Sequence, residues 1–152
     1  MVRLGWVSRW GLKVMMALLT TNCSVLQPAS EPVRTIEIQQ TWQLQRGDWV
    51  GNHEIVAGLG EISIRLNGGI AYAPFKGRVQ PTSANCVLFS SPDVPAYLFR
   101  FCGLHHPQLG EMPEGQAIGS GEYLYFTALR RQPDGTWTIV EPARTILERI
   151  LK

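Results

Sequence analysis

The sequence predicts an all-β domain that ends in a single C-terminal helix. Three observations carry that expectation. Residues 61–66 alternate strictly, with Ile62, Ile64 and Leu66 on one face, which is the two-residue period of a half-buried strand. Fifteen glycines and ten prolines are scattered through 152 residues, so turn signals recur at short spacing and leave little room for long helices. A 3.6-residue apolar period appears only after Pro142, at Ala143, Ile146, Leu147 and Ile150. Many short strands at even spacing imply a barrel or a sandwich.

Residues 1–23 set Arg3, Arg9 and Lys13 ahead of a short apolar run at 14–19, the layout of a secretion signal. That run is far below the roughly 20 residues that cross a bilayer unaided. Cys23 stands where a lipoprotein signal carries its acylated cysteine, with Asn22 before it and Thr20 three before it. The alternatives are an ordinary leader or a start at Met15 or Met16. Residues 24–33 hold two prolines and small polar side chains with no periodicity, a linker composition. The domain then occupies 34–152.

Within it, Ile36 and Ile38, then Trp42 and Leu44, alternate with polar residues as strands do. Residues 47–53 form a turn and 53–57 a short strand. Asn67-Gly68-Gly69 turns the chain into a strand at 70–73. Residues 123–129 form a long aromatic and aliphatic strand. Pro133-Asp134-Gly135 is a hairpin turn, and 136–140 returns with Trp137 and Ile139 on one side. Pro142 suits a first helical position, with Glu141 beside it at the positive end of the helix dipole.

Cys86 and Cys102 flank two strand-like runs joined by the Ser-Pro-Asp-Val-Pro turn at 91–95. A hairpin about that turn sets Cys86 opposite Cys102, Val87 opposite Phe101 and Phe89 opposite Phe99. Directly opposed residues at a non-hydrogen-bonded site lie about 4.5 Å apart at Cα, within reach of a disulfide. The other reading is two reduced cysteines on one sheet face.

The formal charge is +2, and beyond residue 23 there are 11 basic against 12 acidic side chains. A balance so near neutrality gives no electrostatic basis for nucleic acid binding. There is no Gly-x-Ser-x-Gly nucleophile elbow and no glycine-rich phosphate loop. Lys76 has none of the flanking residues of a biotinyl or lipoyl attachment site.

Two stretches carry a resemblance. Ala71-Tyr72-Ala73-Pro74-Phe75-Lys76-Gly77-Arg78-Val79 comes first, and Gly115-Gln116-Ala117-Ile118-Gly119-Ser120-Gly121 follows, leading into Tyr123-Leu124-Tyr125-Phe126-Thr127. Together they resemble the core of the lysostaphin/LytM-type zinc endopeptidases of the bacterial cell wall. In that family the last strand reads His-x-His-Phe-Glu. The resemblance covers about half of the chain and implies a barrel-sandwich hybrid.

A zinc peptidase needs three protein ligands and an open position for water. Matched residue by residue, and with a one-residue insertion before the first turn motif, the family's acidic ligand falls near Glu61 and the histidine four residues earlier at Ala57. The histidine from the middle of the domain falls at Gly103, and the paired histidines fall at Tyr123 and Tyr125. One carboxylate does not hold Zn²⁺, and phenols with pKa near 10 are poor ligands at neutral pH. No catalytic residue, metal ligand or cofactor is therefore expected. The resemblance implies a binding groove formed by Glu61, Tyr72, Tyr97, Tyr123 and Tyr125, since tyrosines bury area and still offer a hydrogen bond. On the 123–126 strand, Leu124 and Phe126 should face the core while Tyr123 and Tyr125 face outward.

The expected function is that of a non-catalytic, exported, envelope-tethered LytM-like protein. It would bind peptidoglycan or an envelope protein to regulate cell-wall remodelling, and meet the membrane only through its N-terminus. The alternatives are a metal-dependent hydrolase with a relocated site at His53, His105 or His106, and a structural adaptor in an envelope complex.

Overall fold

The computed structural model describes residues 42–83 and 85–152. The expected leader, the Cys23 lipidation site, the linker at 24–33 and the strand at Ile36 and Ile38 lie outside the described residues. Within them the strands are β1 (Trp49–Val50), β2 (His53–Leu59), β3 (Glu61–Arg65), β4 (Ile70–Tyr72), β5 (Gly77–Pro81) and β6 (Cys86–Ser90). Then follow β7 (Tyr97–Cys102), β8 (Gly110–Met112), β9 (Ala117–Ser120), β10 (Tyr123–Arg131) and β11 (Trp137–Val140), and the helix α1 (Arg144–Ile150).

The main sheet is antiparallel, in the order β1-β2-β3-β10-β7-β6-β5-β8. Strand β10 is nine residues long, so one of its edges serves two partners. Its first half pairs with β3, and its second half pairs with β11. Strands β4 and β9 form a separate two-stranded sheet. The all-β class holds. The pairing path ends at β1 on one side and β8 on the other, so the main sheet does not close into a barrel.

Alternation decides which face is buried. Ile62 and Ile64 of β3, Leu124 and Phe126 of β10, and Phe89 of β6 are fully buried, while their neighbours in sequence, Thr127 excepted, are not. Each such side chain contributes about 1.5–3 kcal/mol by leaving water. Phe99 stacks at 5.8–6.5 Å with Phe75, Phe89, Tyr97 and Phe126, which makes it the hub of an aromatic layer. Ala71 and Ile118 from the small sheet, Ala73 just beyond β4, and Leu147 and Ile150 from α1, complete the same core.

The β6–β7 hairpin has the register that its sequence implies. Cys86 is opposite Cys102, Val87 opposite Phe101 and Phe89 opposite Phe99. Cys86 and Cys102 form a disulfide with their Cα atoms 4.2 Å apart. The turn is pinned from outside the hairpin, because the Ser91 hydroxyl donates to the Lys76 carbonyl (2.7 Å) and accepts the Asp93 N–H (3.1 Å). In the β10–β11 turn, the Asp134 carboxylate accepts both the N–H and the hydroxyl of Thr136. Those bonds favour the ionised form and hold its pKa below the ordinary value.

The helix begins later than Pro142 implies. Ala143 is the N-cap, in extended conformation and without a side-chain cap, and Arg144 is the first helical residue. Ala143, expected on the apolar stripe, is therefore exposed, while Leu147 and Ile150 are buried. Glu141 is drawn elsewhere: its carboxylate accepts the Leu44 N–H at 2.6 Å.

Candidate functional site

The outward face of β3, β10 and β7 gathers most of the residues that the sequence singles out. Tyr125 is paired with Ser63 on one side and Cys102 on the other, and Thr127 is paired with Arg100. Paired residues project from the same face of a sheet. Tyr123 and Tyr125 thus point away from the core that holds Leu124 and Phe126, with Tyr125 39% exposed. Ala57 is also paired with Ser63, so Ala57, Ser63, Tyr125, Cys102 and Cys86 form one row across five strands.

The next row is polar. An Arg100 Nη2 donates to the Glu61 carboxylate at 2.9 Å and to the Thr127 hydroxyl at 3.2 Å. Thr127 is only 1% exposed although it lies on the outward face. Both charged side chains stay about two-fifths exposed, so the pair is strongly screened by water. The Arg100 Nε is buried and has no hydrogen-bond partner among the described residues. The guanidinium is a five-donor fork, and this pairing uses only part of it.

Close packing fixes the tyrosines. Gly103 has φ +81°, and a Cβ there would lie 2.5 Å from the Tyr123 carbonyl oxygen and 3.0 Å from Tyr125 Cδ2. The Tyr125 ring therefore lies against bare backbone at Gly103. A Cβ at Gly121 would in turn collide with the Gly103 carbonyl. Glycine is the residue that permits this left-handed conformation and this approach.

The two stretches that carry the resemblance meet in space. Ala71 pairs with Gly119 and Tyr72 with Ala117. The Ala73 N–H donates to the Gln116 carbonyl, and the Gly115 N–H donates to the Ala73 carbonyl, both at 2.8 Å. Of the positions matched to catalytic residues of the peptidases, Gly103 touches Tyr125, Ala57 lies across Ser63 from it, and Glu61 is held by Arg100.

Two of the expected groove residues lie elsewhere. Tyr97 is on the core side of β7, stacked on Phe99 at 6.5 Å, because it is two residues from that inward phenylalanine. Tyr72 belongs to the small sheet, half-buried. The contiguous outward surface is Glu61, Tyr123 and Tyr125, extended by Ser63 and Arg100. Arg100 joins this surface without having been among the expected groove residues. The alternation of residues 97–102 already sets it opposite in sense to Phe99 and Phe101.

His53 Nδ1 lies 3.1 Å from the Arg65 carbonyl at the start of β2. His105 and His106 are exposed on the loop after β7, where His105 bridges to Ser120 and His106 has φ +45°. No three histidine, cysteine, aspartate or glutamate side chains come together as a metal site among the described residues. No helix among the described residues is long and apolar enough to cross a membrane. Compared with known protein families and with curated proteins, the sequence matches none.

Proposed function

We propose that this chain is a non-catalytic, envelope-tethered LytM-like protein that binds peptidoglycan through the outward face of β3, β10 and β7. The observation that carries the reading is the Glu61–Arg100 pair beside Tyr125. At the position where the resembling peptidases give a carboxylate to a zinc ion, Glu61 is held by a guanidinium instead. A guanidinium keeps a fixed positive charge, but it offers no open coordination position and does not activate water as zinc does. It is well suited to a carboxylate, which it binds in a planar, two-point geometry. The peptide stems of cell wall carry free carboxylates, and the Tyr123 and Tyr125 rings supply flat area with a polar tip. The meeting of the 71–79 and 115–121 stretches supports the same reading, since the resemblance rests on those two stretches.

The test is co-sedimentation of the full chain with purified cell-wall sacculi. Wild-type protein should pellet with the wall, and Tyr123→Ala/Tyr125→Ala and Arg100→Met should stay in solution with unchanged circular dichroism. Equal pelleting of all three proteins removes this face from the account. Solubilisation of wall fragments by the wild-type protein would mark it as a hydrolase instead.

A further inference from the structure

A cavity of about 330 Å³ opens on the inward side of the sheet, bounded by β7, β10, β11 and the approach to α1. Most of its lining residues are apolar, Phe99, Ala128, Val140, Pro142 and Ile146 among them. Phe99 and Ala128 are only 3% and 2% exposed. The space exists because Ala128 is small. It pairs with Phe99 and follows the fully buried Phe126 on the same face of β10, where a large side chain would fill the gap. Its volume is at the low end of the range for small-molecule pockets, about 300–1,000 Å³.

The polar groups at the cavity are few and of unequal availability. Arg130 lies two residues beyond Ala128, on the same face and paired with Tyr97. Arg65, Arg78, Arg100, Arg144 and Arg149 each pair with a glutamate, whereas Arg130 has no ion pair among the described residues. Glu141 also lines the cavity, with its Oε1 engaged by the Leu44 N–H. A largely apolar chamber with one cation free of an ion pair suits a molecule with an aliphatic body and a single anionic end.

We infer that this cavity binds a small anionic amphiphile, a medium-chain aliphatic carboxylate whose chain packs on Phe99, Ala128 and Ile146 and whose carboxylate meets Arg130. The site is separate from the outward tyrosine face and stands or falls independently of it.

Isothermal titration of the full chain with sodium octanoate, and separately with 1-octanol, tests this. Octanoate should give a saturable one-to-one heat. Ala128→Leu, which fills the floor, should weaken it by about tenfold or more, equivalent to about 1.4 kcal/mol. Ile146→Phe narrows the same space from the helix side and serves where Ala128→Leu disturbs folding. Arg130→Glu, an exposed substitution, should weaken octanoate by about fivefold or more and leave 1-octanol unchanged. Absence of saturable octanoate binding overturns the inference and leaves the cavity to another occupant, such as an apolar side chain of a partner protein. Equal octanoate affinity in wild type and Arg130→Glu overturns it as well.

Discussion

Replacing Gly103 with alanine isolates the contact that seats Tyr125. Two costs apply at this position. The first is the left-handed backbone: φ is +81°, where an L side chain costs roughly 1–2 kcal/mol. The second is collision. The added methyl would meet the Tyr123 carbonyl oxygen at 2.5 Å, and that oxygen belongs to the central strand of the sheet and cannot swing aside. Overpacking of this kind costs about 1–3 kcal/mol, for a total of roughly 2–5 kcal/mol. Gly135 provides the control. Its φ is +88°, and nothing lies within 4 Å of an added Cβ, so only the backbone cost applies there. At roughly 4 °C per kcal/mol, Gly135→Ala should lower Tm by about 4–8 °C and Gly103→Ala by about 8–20 °C. Urea melts followed by circular dichroism give the same comparison in free energy. Gly103→Ala should also reduce wall retention, because the Tyr125 ring is pushed off its seat. Equal destabilisation by the two alanines would refute the packing argument.

Other consequences follow from single contacts. Reduction of Cys86–Cys102, or Cys86→Ser/Cys102→Ser, opens a link between residues 16 apart and should cost about 3 kcal/mol in urea melts. Glu61→Gln should leave stability within about 1 kcal/mol, because the pair with Arg100 is half-exposed. It should tighten wall binding by releasing the Arg100 charge, opposite in sign to Arg100→Met, and co-sedimentation isotherms of the two variants check this. Asp134 has a lowered folded-state pKa, so its support of the β10–β11 turn is present above the unfolded value and is lost as pH falls through the folded one. Thr136→Val removes the hydroxyl bond, and an NMR titration of the Asp134 carboxyl should then move upward toward its ordinary range.

Local pattern and turn chemistry made much of the fold readable. The Ser-Pro-Asp-Val-Pro turn fixes its own hairpin, and register then follows residue by residue, which is why Cys86 opposite Cys102 emerges from spacing alone. Period-two alternation gave the buried faces of β3 and β10. The same alternation sets Tyr97 with Phe99 on the core side, and the grouping of tyrosines into one groove passed over it. Strand β8 is three residues long and rests on its pairing with β5, a long-range partner that no local signal announces. The open sheet is likewise a matter of which edges find each other. The late helix start has no capping signal, and Glu141, expected at the helix end, instead accepts the N–H of Leu44, 97 residues away. Arg100 and Glu61 are 39 residues apart and meet only because β3 and β7 flank β10.

The proposed recognition of cell-wall peptide by a surface on β3, β10 and β7, without cleavage, has a direct test. Amide chemical shifts of the isotopically labelled full chain, followed during titration with a soluble wall stem peptide, supply it. The account predicts saturable shifts concentrated at residues 61–65, 100–103 and 123–127, with the peptide recovered intact. Shifts confined to the surroundings of Arg130, no shifts at all, or cleavage of the peptide during the titration would contradict it.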